Sequence, residues 1–306
     1  MSRVDVVIPC YNYGKFLTNC VTGALDDQPR TDVRILIIDD ASQDDSAEIA
    51  RKLAGADDRI EVRVHSVNRG HIATYNEGLL DWADGDYCVL ISADDVLAPG
   101  ALSRAADLMD AHPEVGFVYG NVVTFADGEK LPPARATSGT PTIWPGRWWL
   151  EQRFEEAHTC IFSPEVVVRT SVQHQVGGYN PNLYHTADHE MWLRLAAHAD
   201  VGFVHADQAY KRTHDNMMSG VVDDLLHLNQ LRVAYESVLR SYGEVLPNAA
   251  ELSEVVHREL AKEALWVAAR AYGPRQTGTI AGKELVAFAL DCWPAAASLS
   301  TYRSLQ

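Results

Sequence analysis

The stretch Tyr87-Cys-Val-Leu-Ile-Ser-Ala-Asp-Asp95 joins a short apolar run to two adjacent carboxylates. Its first part, residues 87–91, predicts a buried strand, because it is apolar, rich in aromatic and β-branched side chains and preceded by the turn-forming Asp84-Gly-Asp86. Asp94 and Asp95 therefore follow the carboxyl end of a strand, where open α/β sheets bind ligands. Taken alone, the pair fits two roles equally well: a site for a hard divalent cation, or a loop that caps the next helix.

The same pattern at a second strand end favours ligand binding. The apolar run Val33 to Ile38 ends in Asp39-Asp40, and the first strand, Val4 to Ile8, ends in Pro9-Cys-Tyr-Asn12. Three predicted strands thus end in polar or aromatic groups at the edge where a ligand would lie. Mg²⁺ or Mn²⁺ would neutralise carboxylate pairs of this kind, since both ions prefer oxygen ligands.

Composition excludes several classes of protein. The chain has 306 residues, of which 47% are hydrophobic and 22% charged, so it can bury a large core. Its length favours about two domains, or one α/β domain with an added lobe. The net charge of −16 argues against a nucleic-acid partner, because binding a phosphate backbone requires clustered basic residues.

Cysteine usage and hydropathy predict the location of the protein. The five cysteines are scattered and odd in number, which favours free thiols in a reducing compartment. We find neither a leader pattern at the N-terminus nor an apolar run long enough to span a bilayer. These features predict a cytoplasmic protein without a transmembrane segment, and peripheral attachment at the inner face of the membrane stays open.

Strands and helices alternate over the first 125 residues, which predicts an α/β fold. This order favours a mostly parallel, doubly wound sheet with helices on both faces and right-handed crossovers. Beyond the strands already named, strands are predicted at 60–64 and 115–119, and helices at 15–25, 46–53, 72–82 and 101–111.

The pattern changes after residue 120. A hairpin or long loop is predicted over 121–149, strands at 165–169 and 201–205, and a helix from Asp188. Residues 222–290 are helical in pattern, with one segment ending at Gly273-Pro274. Their periodic leucines are either core or a partner surface, including a contact in a homo-oligomer.

Two nucleotide-binding signatures are absent. There is no G-x-G-x-x-G after the first strand, and Gly14-Lys15 lacks the rest of a phosphate loop. The chain instead resembles the inverting, metal-dependent family 2 glycosyltransferases of the GT-A fold over residues 1–220. The matching segments are Val-Val-Ile-Pro9-Cys-Tyr11-Asn12, Ile-Asp39-Asp40-Ala-Ser42, Asn68-Arg-Gly70 with Tyr75-Asn76-Glu-Gly78, Ser92-Ala-Asp94-Asp95, Val176-Gly-Gly-Tyr179-Asn180, Ala187-Asp188 with Met191-Trp192-Leu-Arg194-Leu, and Lys211-Arg-Thr-His214 with Ser219.

The resemblance implies a domain plan and a reaction. Residues 1–220 would form the glycosyltransferase domain, with a nucleotide-binding half at 1–125 and an acceptor half at 126–220, followed by a helical region at 221–306. The implied enzyme is of the hexosyltransferase type and uses a UDP- or dTDP-sugar as donor. The acceptor hydroxyl could belong to a glycan, a lipid-linked sugar or a small molecule.

The resemblance also implies roles for single residues. Asp40 would accept a hydrogen bond from the pyrimidine N–H, and Asp188 would be the general base, with Glu190 as its rival. The cation, Mn²⁺ or Mg²⁺, would be held by Asp95 and His214. The remaining nucleotide-sugar contacts are expected from Pro9, Tyr11, Asn12, Arg69, Asn76 and Asp94, the last near the ribose.

Each role has a structural alternative, and so does the function. Asp40 could be a turn residue, His214 a packed histidine and Asp188 a helix cap. The chain also departs from the family pattern at Ser92 and Ala187, where the family has an acidic residue. Thr74-Tyr75-Asn76 stands where the family has Ala-Arg-Asn, a change that removes a cation near the expected donor. A non-catalytic nucleotide- or sugar-binding member of the fold is the alternative function, and a nucleotidyltransferase is a weaker third.

Overall fold

The structure is a computed structural model that describes residues 1–135, 139–215, 217, 223–243, 246–271 and 280–305. Two sequence predictions, the motif residue Ser219 and the helix end at Gly273-Pro274, lie outside the described residues.

A mixed sheet forms the centre of the fold, and the predicted α/β class is confirmed. Within the described residues its strands run in the order β3-β2-β1-β4-β8-β6-β9-β5, and β7 pairs with β9. The ladders β3-β2-β1-β4 and β6-β9 are parallel, whereas β8, β5 and β7 pair antiparallel. The strands are β1 (Ser2–Cys10), β2 (Thr31–Asp39), β3 (Ile60–Val64), β4 (Tyr87–Leu90), β5 (Val96–Leu97), β6 (Val115–Ala126), β7 (Thr142–Trp144), β8 (Val167–Arg169) and β9 (Asp200–Thr213).

Helices connect and follow these strands. The described helices are α1 (Gly14–Leu25), α2 (Ser46–Ala54), α3 (His71–Asn76), α4 (Ala101–Ala111), α5 (Gly146–Glu156), α6 (Thr170–Val176), α7 (Ala187–Ala196), α8 (Asp224–Tyr242), α9 (Ala249–Ala271), α10 (Ile280–Cys292) and α11 (Ser300–Ser304). Helices α1, α2, α4 and α7 begin within about two residues of their predicted positions. Across the described residues, no helix combines the length and apolarity that a bilayer crossing requires.

The hairpin or loop predicted from residue 121 is wrong in its first part. Strand β6 continues without a turn to Ala126, and residues 122–126 pair in parallel with residues 209–213 of β9. Strand β9 is itself much longer than the predicted strand at 201–205. The sequence around residue 122 gives no sign of this partner, because the two segments lie more than 80 residues apart. The turn predicted at Asp127-Gly128 is confirmed.

The helix predicted over 72–82 changes its geometry halfway. Helix α3 is α-helical, and residues 77–82 continue it as a π-helical segment. Gly78 lies in this segment directly against Val7 of β1: a Cβ atom added to Gly78 would lie 2.3 Å from a Val7 methyl group. A glycine at this position therefore allows the helix to pack closely on the central strand.

The chain separates into two compact units. The first comprises residues 1–147, 160–181 and 194–215, and contains the sheet. Its core is built from the buried faces of the parallel strands, including Val6, Ile35 and Val89, as expected for strands that read as continuous apolar runs. The second unit comprises residues 148–159, 182–193 and 216–306. The domain boundary predicted at residue 220 stays a prediction.

Gly78→Ala should destabilise the protein by about 1–3 kcal/mol, because the added methyl group overpacks the contact with Val7. Urea unfolding measures the change. Gly55→Ala is the matched control: its Cβ would lie 3.4 Å from the nearest atom, an ordinary contact, so its stability should stay within about 0.5 kcal/mol of wild type. Equal stability of the two variants would contradict the packing argument.

Candidate active site

The loops that follow β1 and β2 are tied together by Asn12. Its backbone N–H donates to Ser42 Oγ at 2.9 Å, and its side-chain oxygen accepts the Gln43 backbone N–H at 2.7 Å. Asn12 and Ala41 both have positive φ angles, 57° and 61°, an arrangement that Asn tolerates better than most residues. Asn12, a predicted donor contact, thus holds the two strand ends in place.

Two other predicted base contacts lie at the end of β1. Pro9 is half-buried within the strand, whereas the Tyr11 side chain is 46% exposed. An exposed aromatic ring offers a face on which a base can stack. The expectation that Tyr11 stacks on the base stays a prediction.

Asp40 is buried just beyond the end of β2 and accepts several hydrogen bonds. Its Oδ1 accepts from His65 Nδ1 at 2.6 Å and from the Arg69 backbone N–H at 2.8 Å, and its Oδ2 accepts from the Gly70 N–H at 2.9 Å. The carboxylate therefore fixes the loop at 68–70 beside the strand end.

The neighbouring Asp39 is equally buried, with a different set of contacts. One carboxylate oxygen accepts the Ser42 N–H at 3.2 Å. The other, Oδ1, has no hydrogen-bond partner among the described residues. A buried carboxylate oxygen of this kind is a position where a ligand or water donor can bind.

Arg69, a further predicted donor contact, pairs with Glu77 through Nη1, and its side chain is half exposed. Burial opposes ionisation of Glu77, but the hydrogen bond from His65 and the charges of His65 and Arg69 outweigh it, so the pKa of Glu77 is lowered. Glu77 is thus an ionised link between His65 and Arg69.

The acidic pair after β4 is buried: Asp94 is 8% exposed and Asp95 is 6% exposed. Asp95 Oδ1 accepts the Arg212 backbone N–H at 2.9 Å, and His214 Nε2 lies 3.0 Å from Asp94 Oδ2. Burial raises the pKa of Asp95 well above its ordinary value, and the charge of Asp94 raises it further. Burial and the neighbouring carboxylate therefore both disfavour the ionised form of Asp95.

These residues fit a divalent cation. Asp94 Oδ1 is buried without a hydrogen-bond partner in the described part of the chain, and carboxylate oxygens are ligands that Mn²⁺ and Mg²⁺ prefer. Within the residues that the structure describes, no group of three or more His, Cys, Asp or Glu side chains is placed to hold a metal ion. In nucleotide-binding sites Mg²⁺ is commonly held by one or two carboxylates together with substrate phosphates and water.

Arg212 stabilises this corner of the site from the other side. Its guanidinium donates to the Asp94 carbonyl oxygen at 3.0 Å, and it lies over the rings of Phe16 and Phe125 at 4.6 and 4.5 Å. Asp127 lies within 3.5 Å of its Nη1. Arg212 is buried and bound on several sides, so it positions Asp94 and Asp95.

Sequence reasoning missed two groups of this site. Glu165, buried just before β8, has a negative charge that helps to raise the pKa of Asp95. His65 contacts Asp40 directly. His65 follows the strand predicted at 60–64, and Glu165 begins the strand predicted at 165–169. No local pattern shows that either residue approaches a carboxylate of the site.

Asn76, also predicted to contact the donor, binds the backbone of Tyr179. Its amide nitrogen donates to the Tyr179 carbonyl at 2.9 Å, and its amide oxygen accepts the Tyr179 N–H at 2.6 Å. Gly178 gives this amide room, since a Cβ there would lie 2.5 Å from the Asn76 oxygen. The motif at 75–78 and the motif at 176–180 thus contact each other.

Asp188 belongs to the second unit, at the start of α7. It is half-buried, and one of its oxygens accepts the His189 N–H at 2.7 Å. Its rival Glu190 is only 2% exposed and accepts a hydrogen bond from Ser237 at 3.2 Å. Burial lowers the pKa of His189 to about 3, so this histidine is neutral.

A mostly parallel sheet with carboxylates and an exposed tyrosine at its strand ends defines an open α/β protein, a class that binds ligands at this edge. The sequence profile described as Glycosyl transferase family 2 matches residues 5–169, and the chain belongs to that family. The predicted family is therefore confirmed.

Curated relatives are similar over part of their length. Glycosyltransferase GlyG of Streptococcus pneumoniae is 34% identical over 119 residues, which are 38% of this chain and 39% of the relative. Chondroitin synthase of Pasteurella multocida is 26% identical over 194 residues, which are 63% of this chain and 19% of the relative. The chain thus spans well under two thirds of these relatives.

Solved structures share the fold. The structure of TarS residues 1–349 from S. aureus in complex with UDP-GlcNAc has a TM-score of 0.70 at 16% identity, over 96% of this chain and 81% of that one. The mannosyltransferase PcManGT from Pyrobaculum calidifontis, in complex with GDP-Man and Mn²⁺, has a TM-score of 0.57 at 17% identity, over 99% and 82%.

Asn76→Ala should lower the free energy of unfolding by about 2 kcal/mol, because it leaves the backbone N–H and C=O of Tyr179 without their partner. Urea denaturation measures the loss. Asn19→Ala, at an exposed asparagine of α1, is the control and should stay within about 0.5 kcal/mol of wild type. Unchanged stability together with weaker nucleotide binding would instead support the predicted donor contact.

Proposed function

We propose that this protein is a metal-dependent, inverting glycosyltransferase that moves a sugar from a UDP- or dTDP-sugar to an acceptor hydroxyl. The observation that supports this most directly is the buried Asp94-Asp95 pair at the carboxyl end of β4. The pKa of Asp95 is raised, and Asp94 has a buried oxygen without a hydrogen-bond partner in the described residues. A cation bound together with the donor diphosphate would stabilise both carboxylates.

The donor nucleotide is assigned to the ends of β1 and β2. Tyr11 provides a face on which the base stacks, and Pro9 and Asn12 frame it. Three hydrogen bonds to Asp40 leave one of its four acceptor positions, on Oδ2, for a pyrimidine N–H. Asp94 is assigned to the ribose, and Arg69 stays a predicted donor contact.

The cation is assigned to Asp95 and His214. When bound, it supplies Lewis-acid stabilisation to the negative charge that develops on the leaving diphosphate. The protein contributes the rest by position: Arg212 fixes Asp95 through its backbone N–H and Asp94 through its guanidinium. Glu165 adds negative charge near the pair, which increases its attraction for a cation.

Asp188 is the proposed base. The acceptor oxygen forms a bond to the anomeric carbon as the bond from that carbon to the phosphate oxygen breaks, and Asp188 takes the hydroxyl proton. Configuration inverts because one displacement occurs. Asp188 is preferred to Glu190, since Glu190 is buried and accepts a hydrogen bond from Ser237.

The relatives support the donor class and suggest an acceptor class. TarS structures contain UDP-GlcNAc or UDP, and the PcManGT structure contains Mn²⁺. Similar curated proteins include a chondroitin synthase and a GalNAc(5)-diNAcBac-PP-undecaprenol β-1,3-glucosyltransferase. By analogy, we assign this chain to polysaccharide or glycoconjugate synthesis, with a glycan or lipid-linked acceptor. A non-catalytic sugar- or nucleotide-binding member is the alternative.

UDP binding should depend on the metal. Calorimetry in Mn²⁺ should give an affinity about tenfold or more above that in excess chelator, because a cation held by Asp95 would offset the negative charge of the diphosphate. Asp95→Asn keeps the shape of the side chain and should remove most of the gain. Asp107→Asn, an exposed carboxylate that pairs with Arg30, should keep it. Equal affinity of the wild type in chelator would contradict the cation assignment.

Asp188→Asn should reduce turnover of the donor about 10²–10⁴-fold while leaving UDP affinity within twofold of wild type, because the amide cannot take a proton. UDP release in a coupled assay measures turnover, and calorimetry measures binding. Near-normal turnover of Asp188→Asn together with an inactive Glu190→Gln would move the base to Glu190. Full turnover in both variants would contradict a base at this helix.

A further inference from the structure

His65 holds the carboxylate of Asp40 in one orientation. Because an ionised carboxylate can only accept, His65 Nδ1 must donate the 2.6 Å hydrogen bond to Asp40 Oδ1. Both side chains are almost fully buried, so water does not compete readily for this bond. The Arg69 and Gly70 N–H groups already hold the carboxylate of Asp40. The added bond from His65 makes rotation about its Cβ–Cγ bond harder.

The imidazole is itself anchored on its far side. His65 Nε2 lies 3.0 Å from Glu77 Oε2, and Arg69 Nη1 lies 3.4 Å from the same nitrogen. Glu77 also pairs with Arg63 at 3.5 Å. Charged groups from β3, the π-helical segment and the loop at 68–70 thus surround the ring and prevent it from turning away from Asp40.

The acceptor positions of Asp40 decide what it can recognise. Oδ1 already accepts from His65 and from the Arg69 N–H, whereas Oδ2 accepts only from the Gly70 N–H. One acceptor position on Oδ2 is therefore left for a ligand. Any donor on the base must approach that oxygen along one direction.

We propose that His65 is a specificity-determining positioning residue, which sets Asp40 so that the site takes a base with a ring N–H and rejects a base without one. This inference rests on the proposed function and deepens it. Uracil and thymine have an N–H at position 3, whereas cytosine has a bare nitrogen there. A fixed carboxylate accepts from the former and repels the lone pair of the latter, so the preference for UDP over CDP depends on its orientation.

Two substitutions of His65 distinguish the roles of its two ring nitrogens. In His65→Asn the side-chain amide nitrogen stands as many bonds from the backbone as Nδ1, so it can still donate to Asp40. In His65→Gln the amide nitrogen matches Nε2 instead, and the donor to Asp40 is lost. His112→Gln, at an exposed histidine paired with Glu114, is the control for a histidine change elsewhere in the same unit.

Calorimetry of UDP and CDP in Mn²⁺ provides the test. The measured quantity is the ratio of the affinity for UDP to the affinity for CDP. His65→Asn and His112→Gln should keep the wild-type ratio within about threefold, and His65→Gln should lower it about tenfold. A purely structural role would weaken both ligands equally and leave the ratio unchanged. That result, with a UDP-selective wild type, would overturn the inference and leave the proposed function intact.

Two further outcomes complete the test. A wild type that binds UDP no better than CDP would overturn the proposed UDP- or dTDP-sugar donor and this inference together. Should His65→Gln melt below the assay temperature, Glu77→Ala tests the same claim, because it removes the second anchor of the imidazole. We expect it to lower the ratio about threefold, and an unchanged ratio would overturn the proposal.

Discussion

Two neighbouring carboxylates buried at the end of β4 impose the main constraint on this structure. Asp94 and Asp95 repel each other in a site with little water, and the raised pKa of Asp95 shows the electrostatic cost. Arg212 and His214 at the end of β9 reduce that cost without removing it, since Asp94 Oδ1 has no hydrogen-bond partner in the described residues. The strands thus bring two carboxylates, an arginine and a histidine together.

Elsewhere at this edge of the sheet, hydrogen bonds from polar side chains to the backbone hold the loops in place. We call each such set of hydrogen bonds a clamp. Asn12 joins the first two strand ends, Asn76 joins α3 to the segment around Tyr179, and Asp40 gathers the loop at 68–70. Each clamp binds backbone groups that would otherwise be unsatisfied. Several motif residues of family 2 in this chain are therefore explained by the shape they give to the site.

The sequence predicted the elements whose signal is local and missed those that depend on distant partners. The apolar runs before Asp40 and Asp95 predicted both strands and their acidic ends, because buried parallel strands have continuous apolar sequences. The extension of β6 to Ala126 requires β9 as a partner, and the clamp made by Asn76 requires Tyr179, 103 residues away. The sequence around residue 122 or Asn76 does not indicate either partner.

The most direct test of the cation site is a titration of Mn²⁺ followed by electron paramagnetic resonance, with and without UDP. Linkage requires that a diphosphate which binds better with the metal also makes the metal bind better by the same factor. The site assigned to Asp95 and His214 predicts weak binding of about one Mn²⁺ alone and binding about tenfold tighter with UDP. Mn²⁺ binding that UDP leaves unchanged, or that persists in Asp95→Asn, would contradict it.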